Sequence, residues 1–510
     1  MRHILVCLFL VSVTVCLGQG AKDATDASLA GEFAVASALH FDSVQLVRHF
    51  KRCPAFRQME KEIRLFYRMR SYAFAWYDRQ GLTEQAGNLY NRVRQLPAER
   101  PGAGLPYQAV LDSLMEGETA AGRDDRIRVE LLLTSAYFYF AGRAWQGVNA
   151  EQSARMQWFV PRKQTDYAAW LQGYASGADT AFAEPVYRQY NLLRSFLDRY
   201  RELVQRGRWA PLRLRKNVPL AGDSGLRREV RRRLVLLGDL DSSSEDLPAA
   251  IREFQRRTGL VVDGEFGPAT ARALSVSPAE RVRTLLVNME RNRWLPDTVH
   301  GDYLAVNIPE FRVHAYHDDS LLWDIKVVVG QAVHQTVVFS GRIRYIVFSP
   351  YWNVPVSIYN KEMRPRIARD PRYLAKHHME RYSQGVRQLP GPWNSLGGVK
   401  FLFPNSHSIY LHDTPAKGLF GEKKRAFSHG CIRLAEPAKL AGWLLRDEAS
   451  WDAARIQEAM HAGREKWVDA PGKVRVVIVY FTAWVDRQGR LNFRDDLYGR
   501  DRRLAALLGH

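Results

Sequence analysis

Near residue 300 the hydrophobic period of this 510-residue chain changes, and one layer of secondary structure cannot satisfy both halves. Before that point apolar residues recur every three or four positions, as in Ile127, Leu131 and Phe138 ahead of Gly142, the spacing of one helix face. After it, short runs rich in β-branched and aromatic residues (303–308, 311–316, 322–329 and 343–348) alternate with turn residues such as Asp318-Asp319. The expected fold class is multidomain α+β, and at roughly 150 residues per domain the length suggests about three domains. With 46% hydrophobic and 25% charged residues the chain can bury sizeable cores, which excludes wholesale disorder and fibrous folds.

Lysine and arginine number 74 against 54 acidic residues, a net +20 that invites a polyanionic partner. The N-terminus narrows that choice. Met1, Arg2 and His3 lead into 14 apolar residues (4–17), followed by Gly18 and Gly20, the order of a secretory signal peptide over residues 1–20, cleaved after Gly18 or Gly20. Bulky Val15 before Cys16 argues against a lipoprotein signal, and the run is short of the ~20 residues that span a bilayer. The mature chain is expected in the periplasm or cell envelope, with no nucleic acid among its partners. Cys7 and Cys16 leave with the signal, so only Cys53 and Cys431 remain and no disulfide scaffold is expected. Cys53, beside Pro54 at a helix start, reads as an inert buried or capping residue.

Residues 30–212 read as a helical scaffold domain carrying no obvious chemistry, with a proline- and glycine-rich loop at 99–106. Residues 218–276 form a compact unit of three helices: Leu226, Val230, Leu234 and Leu237 share one face, Leu247, Ile251 and Phe254 another, and Gly267-Pro268 opens the third. Its nine arginines balance nine acids, so the run Arg231, Arg232, Arg233 reads as a solvated face. Residues 300–510 are expected to form the β-rich domain. Within it, residues 356–396 are basic, with helical propensity and no β pattern, as an inserted lid would be. The closing strand pair, 474–485 with 491–493, is joined by a turn at Asp486–Gly489 that lacks the spaced carboxylates of a calcium loop.

Chemistry concentrates in Ser428-His429-Gly430-Cys431-Ile432-Arg433-Leu434 and, upstream, Tyr410-Leu411-His412-Asp413-Thr414. A thiol of pKa ~8.5 is a poor nucleophile at neutral pH without a base or cation beside it. His412 as base and Arg433 as cation would meet that need for Cys431. Gly430 lets the backbone bend so that amides could face an oxyanion, and a backbone carbonyl or the Asp413 side chain could hold the imidazole tautomer. Zinc bound by His412, His429 and Cys431, or an inert buried cysteine, uses the same residues. Zinc is disfavoured because only three ligands lie close together and H-x-C matches no common knuckle spacing.

The stretch "AIREFQRRTGLVVDGEFGPATARAL" resembles the type 1 peptidoglycan-binding domain, and His412 followed by S-H-G-C-I-R resembles the catalytic signature of YkuD-type L,D-transpeptidases. The strings "SPYWNVP", "NSLGGVKFLFPNSHSIYLHDTP" and "FSHGCIRL" resemble the large multidomain subgroup, which joins a helical scaffold, a peptidoglycan-binding module and a catalytic domain with a capping insertion. The sortase pattern T-L-x-T-C is absent. The resemblance implies Cys431 as acyl-accepting nucleophile and His412 as its base and acid. His429, Gly430, Arg433, Ser428, Asp413 and Tyr410 would shape the oxyanion and substrate environment. Asp413 stands where many relatives carry Gly or Ser. The implied activity is 3→3 cross-linking of peptidoglycan stem peptides through a thioester, with no metal or cofactor and with other wall-synthesis proteins as further partners. The alternatives are an L,D-carboxypeptidase that trims tetrapeptide stems and a non-catalytic wall-binding scaffold protein. The charge fits this reading: residues 351–450 carry 16 basic against eight acidic residues, suited to stems bearing several carboxylates.

Overall fold

The computed structural model describes residues 39–99, 104–117, 122–177, 184–215, 219–296, 299–383 and 385–510. The expected signal peptide and residues 100–103 of the loop lie outside them. The chain divides into two compact units. One takes in the described residues up to Arg92, the stretch Tyr107–Ala136 and the segment that begins at Asp166. It is helical: Val44–Arg52, Glu60–Met69 and Tyr167–Ala175 bury Phe50, Ile63, Phe66 and Leu171. A buried Glu130 accepts hydrogen bonds from the amides of Ala75 (2.7 Å) and Trp76 (3.0 Å) and from the Tyr67 hydroxyl (2.9 Å), and burial pushes its carboxyl up to about 7.

The second unit holds the remaining described residues, including a helical module and a large sheet. In the module, Ser224–Leu237, Leu247–Arg257 and Pro268–Ser275 close over Val230, Leu234, Ile251, Phe254 and Leu274. Asp223 and Asp246 cap the first two helices and Pro268 opens the third. Gln255 explains the motif spacing. Its carbonyl accepts from the amides of Asp263 (3.1 Å) and Gly264 (2.9 Å), and its NH2 donates to the Asp263 carboxylate (2.7 Å) and to Thr270 Oγ1 (3.1 Å). Gly264 supplies the positive φ of +81° that the turn requires. The arginine run is a solvated face only in part, with Arg232 exposed and Arg231 half-buried. Arg233 is buried, ion-pairs with Glu229 (2.7 Å) and donates to the carbonyls of Leu274 (3.0 Å) and Ala210 (2.5 Å). Three consecutive helical residues are each rotated ~100° from the last, so one of them must face inward.

Seventeen strands lie among the described residues: β1 (Trp158–Phe159), β2 (Asp302–Asn307), β3 (Arg312–His317), β4 (Ser320–Gly330), β5 (Val338–Arg342), β6 (Tyr345–Phe348), β7 (Trp352–Asn353), β8 (Met379–Tyr382), β9 (Gly385–Gln388), β10 (Val399–Leu402), β11 (Leu411–His412), β12 (Ala426–Ser428), β13 (Ile432–Leu434), β14 (Lys466–Asp469), β15 (Arg475–Val479), β16 (Ala483–Val485) and β17 (Leu491–Phe493). Twelve of them share one sheet in the order β1-β5-β15-β2-β3-β4-β13-β11-β10-β6-β14, with β12 alongside β4. β1 comes from the segment expected to be wholly helical and pairs in parallel with β5. Alternate residues of the strands, such as Leu304, Val306, Val476 and Ile478, feed one continuous core. The expected Asp318-Asp319 hairpin joins β3 to β4.

Two expectations change. The strand expected over 474–485 breaks after Val479: β15 joins the main sheet, while β16 pairs with β17 across the Asp486–Gly489 turn. Residues 356–396 are not free of β structure, because after the short helices Val356–Ile358, Arg364–Arg369 and Tyr373–Lys376 comes a hairpin, β8–β9, that pairs with β7. Its strands read Met-Glu-Arg-Tyr and Gly-Val-Arg-Gln, too polar and too short for an alternating apolar pattern to show.

Gln255→Ala would leave two amides of the Asp263-Gly264 turn without their acceptor. At about 1–3 kcal/mol for an unsatisfied buried group, the module is expected to lose about 2 kcal/mol, seen as a lower thermal midpoint of the whole chain. An unchanged midpoint contradicts this account of the motif.

Candidate active site

Strands β10, β11 and β13 carry the site side by side. β11 runs parallel to β13, with Leu411 opposite Ile432 and His412 opposite Arg433, and antiparallel to β10, with His412 opposite Lys400. Leu411, Ile432, Leu434, Val399 and Phe401 are buried in the core and anchor the three strands. Parallel pairing needs a crossover, supplied by the nineteen-residue step from His412 to Cys431, which includes β12 on the edge of β4. Cys431 thus lies just before β13, and the amide of Ile432 donates to Tyr410 O (3.1 Å).

His412 is buried, and its Nδ1 donates to the carbonyl of Asp413 at 2.5 Å. A carbonyl can only accept, so Nδ1 carries the proton and Nε2 of the neutral ring keeps its lone pair. Burial, with Arg433 and Lys400 on the two flanking strands, lowers the imidazole pKa to about 3 against the Asp413 carbonyl. The Asp413 carboxylate does not touch the ring. It accepts from the Gly398 amide (2.8 Å) and pairs with Lys417 (2.5 Å), which turns the Asp413 carbonyl onto His412. Gly397 is required there: its φ is +62°, and a Cβ would lie 2.3 Å from Asp413 Oδ2.

The Cys431 thiol is free and part-buried, and it donates to the Ser408 carbonyl (Sγ···O 3.7 Å). Burial pushes its pKa above the ordinary 9.0, opposed by hydrogen bonding from Tyr410 and by the charge of Arg433. Tyr410 is common to both groups: its hydroxyl bonds Cys431, and its ring lies 5.6 Å from that of His412. Arg433 brings a buried Nε that has no hydrogen-bond partner among the described residues. Burial thus favours a thiol and a neutral imidazole at the two positions.

The loop before Cys431 is fixed by its own hydrogen bonds. Gly430 turns it at φ +118°, but its amide donates to Ser428 Oγ (3.1 Å), while Ser428 Oγ donates to Cys431 O (2.5 Å). Thr336 locks the turn by donating to Gly430 O (2.8 Å) and accepting from Gly330 N (2.9 Å). His429 points to the insertion, where Nε2 meets Glu362 Oε1 at 2.8 Å, and it packs 4.8 Å from the His334 ring. The structure brings His412, Tyr410, Arg433 and Cys431 together, gives Ser428, Gly430 and Asp413 supporting hydrogen bonds, and places His429 against Glu362. Thr336, Lys400, Glu362 and the carbonyl of Ser408 were not legible beforehand. Lys400 sits inside the "NSLGGVKF" string, but no local pattern marks Thr336 or Glu362. Among the described residues no three His, Cys, Asp or Glu side chains form a metal-binding group.

Residues 301–478 match the YkuD family, an L,D-transpeptidase catalytic domain, residues 61–197 a scaffold domain and residues 224–274 a peptidoglycan-binding domain. A Haemophilus influenzae protein named "Putative L,D-transpeptidase" is 32% identical over 241 residues, which cover 43% of this chain and 48% of that protein; the chain thus spans about half the length of this relative. Solved structures with partial likeness include an L,D-transpeptidase from Mycobacterium smegmatis, 12% identical over 35% of this chain and 58% of its own, with a TM-score of 0.19. Another is an L,D-transpeptidase from Stackebrandtia nassauensis, 15% identical over 50% of this chain and 91% of its own, with a TM-score of 0.21.

A thiol whose pKa burial raises predicts that alkylation of Cys431 by iodoacetamide, mapped by peptide mass spectrometry, climbs continuously from pH 6 to pH 9. Tyr410→Phe, which loses the hydroxyl bond to sulfur, should slow it at every pH. A plateau reached by pH 7 would contradict the neutral resting pair.

Proposed function

We propose that this chain, which carries an L,D-transpeptidase catalytic domain of the YkuD family beside scaffold and peptidoglycan-binding domains, joins stem peptides of peptidoglycan by 3→3 cross-links through Cys431. The observation that carries the reading is the His412 Nδ1 bond to the Asp413 carbonyl, which leaves a buried basic nitrogen in the strand beside the thiol. His412 takes the Cys431 proton as sulfur attacks the carbonyl carbon of the third stem residue. The tetrahedral intermediate collapses with cleavage of the amide bond, His412 returns the proton to the departing D-alanine amine, and a thioester remains. The side-chain amine of a diamino acid on a second stem then attacks the thioester and gives a proton to His412. That proton ends on the released sulfur of Cys431, which restores the enzyme.

Arg433 supplies positive potential to the anionic intermediate and to stem carboxylates. The amide of Cys431, which has no acceptor among the described residues, is the oxyanion donor, whereas Gly430 shapes the turn. The insertion at 356–396, linked by Glu362 to His429, shields the thioester from water. The proposed location is the cell envelope, reached through a signal peptide at residues 1–20. No described helix is long and apolar enough to cross a membrane.

Muropeptide mass spectrometry of cells producing the chain tests this. Wild type should add 3→3 dimers and Cys431→Ala should abolish them. Tetrapeptide trimming without dimers would make the chain a carboxypeptidase, and dimers from Cys431→Ala would remove sulfur from the reaction. Glu362→Ala should raise the ratio of thioester hydrolysis to transfer in a purified assay; an unchanged ratio argues against the shielding role.

A further inference from the structure

On the side of the sheet away from the core lies a cavity of about 610 Å³ whose lining includes none of His412, Tyr410, Cys431 or Arg433. It falls within the range of small-molecule sites. Its floor is one face of four neighbouring strands, β5, β15, β2 and β3, because residues of like parity point the same way. Tyr303, Ala305 and Asn307 of β2 face it, with Arg475, Val477 and Val479 of β15 beside them. The middle of that face is small: Ala305, Val477 and Ser340 are register neighbours, and the hollow stands over them.

The two ends differ in chemistry. At one end Arg475 stands directly opposite Arg342 across the β15–β5 ladder, and Arg344 also lines the cavity. Like charges opposed across strands are unfavourable, and among the described residues no carboxylate ion-pairs with Arg344 or Arg475. At the other end Glu310, held by Asn307 (3.3 Å) and His314 (2.9 Å), offers carboxylate oxygens to hydroxyl donors. Aromatic side chains line both ends: Tyr303, in register with Arg475, stacks on Tyr316 at 4.9 Å, and Phe481, bonded to Asn307, lies with Trp484 in the wall. We infer that this cavity binds an anionic sugar, its carboxylate or phosphate held by the Arg342, Arg344 and Arg475 end, its ring against the aromatic wall and its hydroxyls on Glu310. A purely apolar ligand would leave Arg344 and Arg475 without a counter-charge, and a neutral sugar would leave them unused. The site is separate from the thiol and does not depend on the transpeptidase reading.

Calorimetric titration of the whole chain tests it, with N-acetylmuramic acid as the carboxylate probe, N-acetylglucosamine 6-phosphate as the phosphate probe and N-acetylglucosamine as the neutral one. At least one anionic sugar should bind about tenfold or more tightly than the neutral sugar, and whichever binds tighter identifies the anion. Replacing both Arg344→Gln and Arg475→Gln should cost that sugar about tenfold or more in affinity. Ala305→Trp, which fills the hollow, should abolish binding, and the shape-preserving glutamine variant covers the case in which the tryptophan disturbs the sheet. Equal affinity for neutral and anionic sugars, no anionic binding at 10 mM, or full affinity in the double glutamine variant would each overturn the assignment.

Discussion

The candidate site, and with it the acyl transfer proposed for it, depends on two residue pairs of one parallel ladder, Leu411 with Ile432 and His412 with Arg433. A parallel pair cannot close through a tight turn, so the chain between them must leave the sheet and return. On that return it forms the edge strand β12, then the Ser428–Gly430 turn, and arrives at Cys431 one residue before the ladder begins. A register slip of one residue would turn His412 and Cys431 to opposite faces. The core side chains Leu411, Ile432 and Leu434 oppose such a slip, because it would expose all three. Packing energy therefore sets catalytic geometry.

Electrostatics follows from the same placement. Three neighbouring strands put His412 between Lys400 and Arg433 and bury it, and each of these effects disfavours the imidazolium. Burial also disfavours a bare thiolate, with Tyr410 and Arg433 opposing it. The result is a pair held neutral on two adjacent strands. A thiol of this kind resists adventitious oxidation and alkylation, which suits a catalyst that is expected to work outside the reducing cytoplasm.

Much of the molecule could be read from residues alone. The period change near 300 separates helices from strands. The F-Q…D-G…T spacing marks the turn that Gln255 binds, and the S-H-G-C-I-R string marks the nucleophile candidate. Elsewhere local pattern misled. The run Arg231 to Arg233 looked solvated because composition carries no direction, yet the helix turns Arg233 inward onto Glu229 and Leu274 O. The β8–β9 hairpin escaped notice because polar strands have no alternation to detect. Gly430 reads as a turn residue, but nothing local shows that its amide bonds Ser428 Oγ.

Residue identity, then, determined which groups are available: a thiol, an imidazole, a guanidinium and glycines where the backbone must turn. Only the tertiary structure decided their partners. The imidazole takes its orienting bond from the Asp413 carbonyl and not the Asp413 carboxylate, since Gly398 and Lys417 claim the latter. It likewise gathered Arg342, Arg344 and Arg475 at one end of a cavity, although more than 130 residues separate the first from the last. The reason is physical: local sequence governs short-range torsions and caps, whereas hydrogen-bond partners and local fields depend on which distant strands lie side by side, and burial of the whole core decides that.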